Sequence, residues 1–273
     1  MGIVGIMDDQ SHLSPTGRLL VVAVFTATAM SLDPRLIASA IHWSAFGSVQ
    51  VLPWLFVIGA MIATAGFVSS VNMADGINGL VPTAFFIWCL GFDLFAGGAV
   101  REISLALTGP VLIVLIFNLR GQVFLGDCGT FGVGFLFALM ALACLREGKL
   151  AAETLLVWFF VPVLDCIRVI ASRLVRGRSP LRGGKDHFHH ILADMFGKRR
   201  AMYVYSATIL VTSALAALVP RSGIYLLLAL SALALGFVVA RRAVHRRREA
   251  ILRPVHARAA VFRRAGRKRI VDG

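Results

Sequence analysis

Eight runs poor in charge recur along this chain, at about 19–32, 53–71, 80–97, 103–118, 131–145, 152–172, 202–219 and 223–240. A helix needs about 20 apolar residues to cross a hydrocarbon core of ~30 Å. No water reaches that core, so every backbone N–H and C=O must be paired inside the protein, and a helix does so within its own segment. The runs therefore predict an all-α, polytopic membrane protein with about eight transmembrane helices. Composition agrees: 58% of the residues are hydrophobic and 15% charged, where soluble domains average about 45–50% and about 25%. Disorder is excluded, and a soluble globular enzyme is argued against. The sequence has neither a repeat nor a low-complexity linker. Residues 1–240 read as one membrane-embedded domain and 241–273 as a basic tail.

Lys and Arg number 28 against 14 Asp and Glu, a formal charge of +14. In a membrane chain this excess speaks for orientation and for anionic lipids as partners, with no nucleic acid expected. Eight crossings put residues 1–18, 72–79, 119–130, 173–201 and 241–273 on one side, which carries 22 Lys and Arg against 5 in the opposite loops. The positive-inside rule makes the richer side cytoplasmic. The tail alone holds 12 of these cations, and it is expected either to dock on anionic headgroups or to stay disordered. Cys89, Cys128, Cys144 and Cys166 have no CxxC spacing and read as small hydrophobes.

Four polar clusters fall on that same side. Asp8 and Asp9 precede the first run; adjacent carboxylates repel, which favours a cation, a cationic partner or a shared proton, or simply a solvated end. NMADGINGL (residues 72–80) interrupts two apolar runs with Asn72, Asp75 and Asn78 at spacing three. If the preceding helix continues, all three share a face; otherwise the segment is a polar turn. In FNLRGQVFLGDCGT (117–130), Asn118 and Asp127 flank the turn, and a carboxylate between glycines suits Mg2+ shared with substrate phosphates. RGRSPLRGGKDHFHHIL (176–192) combines Arg178, Arg182 and Lys185 with His187, His189 and His190, a density suited to phosphate, with zinc as the rival ligand. Asp165 and Arg168, at i and i+3, are expected to pair structurally.

These segments, in this order, resemble the polyprenyl-phosphate N-acetylhexosamine-1-phosphate transferases, a family related to the phospho-MurNAc-pentapeptide translocases. GIMDDQSHLSP looks like the family's aspartate pair, VFLGDCGTFGVGF like its FxGDxGS segment and DHFHH like its histidine motif. GRSPL fits the branch that uses UDP-N-acetylglucosamine or a related UDP-sugar. The resemblance implies transfer of a hexosamine-1-phosphate from a UDP-N-acetylhexosamine to undecaprenyl phosphate, with release of UMP, at the cytoplasmic face of a bacterial inner membrane. It implies Asp127 as the Mg2+ ligand, Asp8, Asp9 and Asp75 as catalytic residues, and Asn72, Asn78, Asn118, Arg178, His187, His189 and His190 as substrate-binding residues. It also implies two spans ahead of the aspartate pair that this sequence lacks, so an eight-helix chain without the family's first two is expected. A membrane transporter and an inactive truncated relative stand as alternatives.

Overall fold

The structure, a computed structural model, describes residues 1–11, 13–177, 179, 184, 186–219 and 221–236. In chain order its elements are α1 (Gly2–Ser11), α2 (Pro15–Leu32), β1 (Ala40–Trp43), β2 (Gly47–Gln50), α3 (Pro53–Ala74), α4 (Leu80–Phe95) and α5 (Gly98–Leu119). They continue with α6 (Gly126–Glu147), α7 (Ala152–Val175), α8 (Phe188–Phe196) and α9 (Lys198–Leu218), followed by a helix over Ser222–Gly236 (α10). A helix thus occupies the described residues of each of the eight apolar runs. Six of them, α2, α3, α5, α6, α7 and α9, are long and apolar enough to cross a membrane, while α4 and α10 are shorter. The chain is an all-α polytopic membrane protein. Met1–Leu227 forms one compact unit; of the following unit, residues 228–236 belong to α10, and the tail 241–273 lies outside the described residues.

Three features depart from the sequence reading. The polar N-terminal segment is a helix, α1. A two-stranded hairpin joins α2 to α3, with Ala40 opposite Gln50 and Trp43 opposite Gly47. Several helices also begin before their apolar run: α2 starts at Pro15, where the Ser14 hydroxyl accepts the Gly17 N–H at 3.1 Å. A cap and an N-terminal proline are polar or neutral positions that hydrophobicity does not register.

Burial separates inner helices from outer ones. In α3, α6, α7 and α9, 44–50% of the apolar window is buried within the protein, against 17% in α2 and 22% in α5. The outer helices present Leu20, Val24, Leu112 and Ile113 outward, as a lipid-facing surface requires. Trp88 of α4 is fully buried at the core, with its ring centroid 4.9 Å from Phe159, 5.5 Å from Phe67 and 5.6 Å from Phe137. Pro162 inside α7 has no N–H to offer the carbonyl of Trp158 four residues earlier. That carbonyl instead accepts the Trp88 indole at 2.9 Å, so a break in one helix becomes a tie to another. The Trp158 indole in turn donates to the Ser213 carbonyl of α9 at 3.2 Å.

Alternation of the helices gathers the C-terminal ends of α3, α5 and α7 with the N-terminal ends of α4, α6 and α9. The described residues of all four polar clusters therefore meet at one end of the bundle. At the other end, Glu153 of α7 is buried and holds the hairpin turn through the Ser44 backbone N–H at 2.8 Å.

Candidate active site

Helix α1 lies against the start of α6, and Gly5 makes the approach possible: a Cβ there would invade the backbone of Asp127 and Cys128. This contact brings the acidic pair onto the segment containing Asp127, and the two carboxylates then do different things. Asp9 is exposed and caps α6 from outside, Oδ1 accepting the Asp127 N–H at 3.1 Å and Oδ2 the Cys128 N–H at 3.4 Å. Asp8 is completely buried; it accepts the Leu13 N–H at 2.7 Å and pairs with the Arg18 guanidinium at 2.6 Å. Arg18 also reaches to 3.8 Å from Asp127 Oδ2. The sequence reading counted Arg18 only toward topology. A cation ten positions after an acidic pair, at the mouth of an apolar run, was the available signal.

Asn72, on the last turn of α3, donates through Nδ2 to Asp127 Oδ1 and, at 3.0 Å, to the Thr130 hydroxyl. The helix ends at Ala74, so the expected shared face covers only part of the motif. Asp75 stays within electrostatic range of Asp127; burial, reinforced by that neighbouring charge, pushes it up from 3.8 to about 6. Asn78 lines a cavity with Gly76 and Ile77, and Asn118 is buried, its side chain accepting the Gly79 N–H and donating to the Val123 carbonyl at 2.8 Å. Asn118 thus bolts the 75–79 turn to the turn before α6.

Among the described residues, no three His, Cys, Asp or Glu side chains converge as a metal-binding group. Mg2+ seldom uses such a cage; it takes one or two carboxylates together with phosphates and water. The Asp127 side chain is 22% exposed, its Oδ2 lies 3.8 Å from Arg18, and Asp8 adjoins it. The donor set fits an ion shared with substrate.

The histidine segment docks on the same end. Asp165 of α7 pairs with Arg168 at 2.7 Å, as the sequence predicts, and also meets His187 Nδ1 at 3.1 Å and the Phe188 N–H at 2.8 Å. His189 is fully buried, and among the described residues neither ring nitrogen has a hydrogen-bond partner. Burial, helped by the adjoining His190, lowers it to about 4, so it is neutral near pH 7. A Cβ on Gly76 would collide with His189 and crowd His190; a glycine after Asp75 lets the two motifs touch. His187 is nearly buried, leaving His190 the most open of the three. Arg178, Arg182 and Lys185 lie outside the described residues.

Behind the 76–78 turn lies a cavity of about 540 Å3, lined by Gly76, Ile77, Asn78, Lys198, Arg199 and Tyr203 among others. Small-molecule sites fall in this size range. The sequence reading counted Lys198 and Arg199 only as topology charges.

Residues 1–145, more than half of the chain, match the family model described as glycosyl transferase family 4. The chain belongs to glycosyl transferase family 4. Among curated relatives, it is 28% identical over 210 residues to an undecaprenyl-phosphate alpha-N-acetylglucosaminyl 1-phosphate transferase of Yersinia pestis, covering 69% of this chain and 54% of that protein. It is 30% identical over 210 residues to a phospho-N-acetylmuramoyl-pentapeptide-transferase of Shouchella clausii, covering 70% of this chain and 62% of that protein. The chain spans about half the length of the curated relatives it matches. The resemblance read from four short segments is borne out at the level of glycosyl transferase family 4. The matched region includes Asp8, Asp9, Asn72, Asp75 and Asp127, while the histidines lie beyond it.

Proposed function

We propose that this protein transfers a hexosamine-1-phosphate, N-acetylglucosamine-1-phosphate by the GRSPL segment, from a UDP-sugar to undecaprenyl phosphate and releases UMP. One observation carries the reading: Asp8, Asn72, Asp75, Asp127 and the histidines, drawn from four distant segments, meet at a single end of the bundle. A lipid-phosphate oxygen attacks the phosphorus bearing the sugar, a new P–O bond forms, and the bond to UMP breaks. Both reactants are anions, so their repulsion must be overcome before attack. Arg18 and His190 supply donors at the site, and Asn72 orients the Asp127 carboxylate. Asp127 would hold Mg2+, which supplies charge neutralisation on the pyrophosphate and on the leaving UMP. Asp75, at a pKa of about 6, can accept a proton near neutral pH. The lipid phosphate is itself largely dianionic there (second pKa about 6), so orientation outweighs basicity.

The charge count supports the cytoplasmic face of the membrane for this chemistry, and the basic tail 241–273 supports anionic lipids as partners. The test uses purified protein in detergent with Mg2+, undecaprenyl phosphate and radiolabelled UDP-N-acetylglucosamine. Label passing into the lipid phase with stoichiometric UMP is the expected result. No lipid product from any UDP-N-acetylhexosamine would overturn the reading.

A further inference from the structure

Asp165 lies inside a membrane helix, 22 residues before His187, and the proposed chemistry assigns it no task. Its surroundings exceed what a simple ion pair needs. One oxygen, Oδ1, takes Arg168 Nη2 at 2.7 Å, Arg168 Nε at 3.2 Å and the Phe188 backbone N–H at 2.8 Å. The other, Oδ2, faces His187 Nδ1 at 3.1 Å. Arg168 Nη2 continues to the Asp186 carbonyl at 2.5 Å, so both members of the pair grip the backbone entering α8. His187 is the residue before the first turn of α8 and makes no side-chain cap of its own. Asp165 supplies that cap from a different helix, satisfying one of the donors a helix start leaves unpaired.

A carboxylate only accepts, so an imidazole facing it must present N–H at Nδ1. In the neutral ring this fixes the tautomer and leaves Nε2 as the nitrogen that carries the lone pair. The effect extends along α8. The His187 and His189 rings are nearly parallel, 11° apart at 5.7 Å, and His189 meets His190 at 4.2 Å. The last two rings rest on Gly76, next to Asp75.

We infer that Asp165 is a positioning residue: it holds His187 as the Nδ1–H tautomer, caps α8, and so seats His189 and His190 against Gly76 beside Asp75. The kinetic consequence rests on the proposed transferase reading; the tautomer and the seating do not.

The experiment therefore has two arms on the full chain in detergent. In the first, the ring nitrogens are labelled with 15N and the His187 signal is assigned by its loss in His187→Gln. Nδ1 should be protonated in the wild type, with the proton shifted to Nε2 or averaged between the nitrogens in Asp165→Asn, whose amide can donate toward the ring. An unchanged His187 signal overturns the inference whether or not the protein has activity. In the second arm, kcat per folded molecule is measured for Asp165→Asn, His187→Gln and the double variant. Expected are drops of about 10–100-fold in each single variant with KM for the UDP-sugar much less affected, and little further loss in the double. Multiplying losses, or a normal kcat in the folded Asp165→Asn fraction, would reduce Asp165 to a scaffold role and overturn the inference. A wild type without transfer activity sinks the proposed function, and the first arm still decides the inference.

Discussion

Asp9 accepts the backbone N–H of Asp127 at 3.1 Å across 118 positions of sequence. The capping contact sets the carboxylate of Asp127 where Asn72 and Arg18 reach it. Adjacent in sequence, Asp8 and Asp9 are thus divided by the fold, one buried in an ion pair and the other serving as a helix cap.

Asp9→Ala removes the cap and leaves the first amides of α6 to water. The expected loss is about 1 kcal/mol of stability, read as a lower thermal midpoint in detergent. Asp9→Asn, which can still accept one of the two N–H groups, should recover much of it.

Arg18→Gln strips the buried Asp8 of its counter-charge. Breaking one partner of a buried pair costs about 3–5 kcal/mol, so the single variant should be poorly stable. Adding Asp8→Asn should restore most of the thermal midpoint. Equal instability in the double variant would show that the pair is not what Arg18 contributes.

Gly76→Ala places a methyl group where the His189 ring lies. Overpacking of this kind costs about 1–3 kcal/mol. Histidine ring signals of His189 and His190 should shift, and UMP release should fall with them.

Asp127→Asn keeps an acceptor for Asn72 but removes the full charge facing Arg18. The proposed ion would lose a charged carboxylate oxygen, which is worth several kcal/mol at the transition state. Turnover should fall by more than about 100-fold while membrane insertion persists, and raising Mg2+ should rescue only part of it.

His189 is neutral in the folded protein because burial lowers its pKa from 6.5 to about 4. The unfolded chain binds the proton first, so this contribution to stability is complete above about pH 6.5 and is lost as pH falls toward 4. On the order of 3 kcal/mol follows from 1.36 kcal/mol per pH unit. From pH 7 to 4 the thermal midpoint of the wild type should fall relative to that of His189→Leu, which has no proton to take up at this position.

The eight helices were legible because insertion into lipid depends on local composition: a run such as 103–118 is apolar whatever its neighbours are. Helix starts were less legible, since Ser14 and Pro15 act through backbone geometry. The hairpin over 40–50 was not legible at all: it is held from outside, by Glu153 on α7.

Of the site, the sequence by itself determined which residues gather at one end, because an odd or even number of crossings decides the side on which Asp8, Asp75, Asp127 and His187 emerge. The resemblance of four short segments then named their chemistry. Only the tertiary structure decided the partners: Asp8 with Arg18, Asp9 with the start of α6, Asn72 with Asp127, Asp165 with His187. The reason is physical. A side chain's side of the membrane follows from counting along the chain, but hydrogen bonds are made over about 3 Å. Which groups come that close is set by how helices pack, through contacts such as Gly5 on α6 and Gly76 on His189.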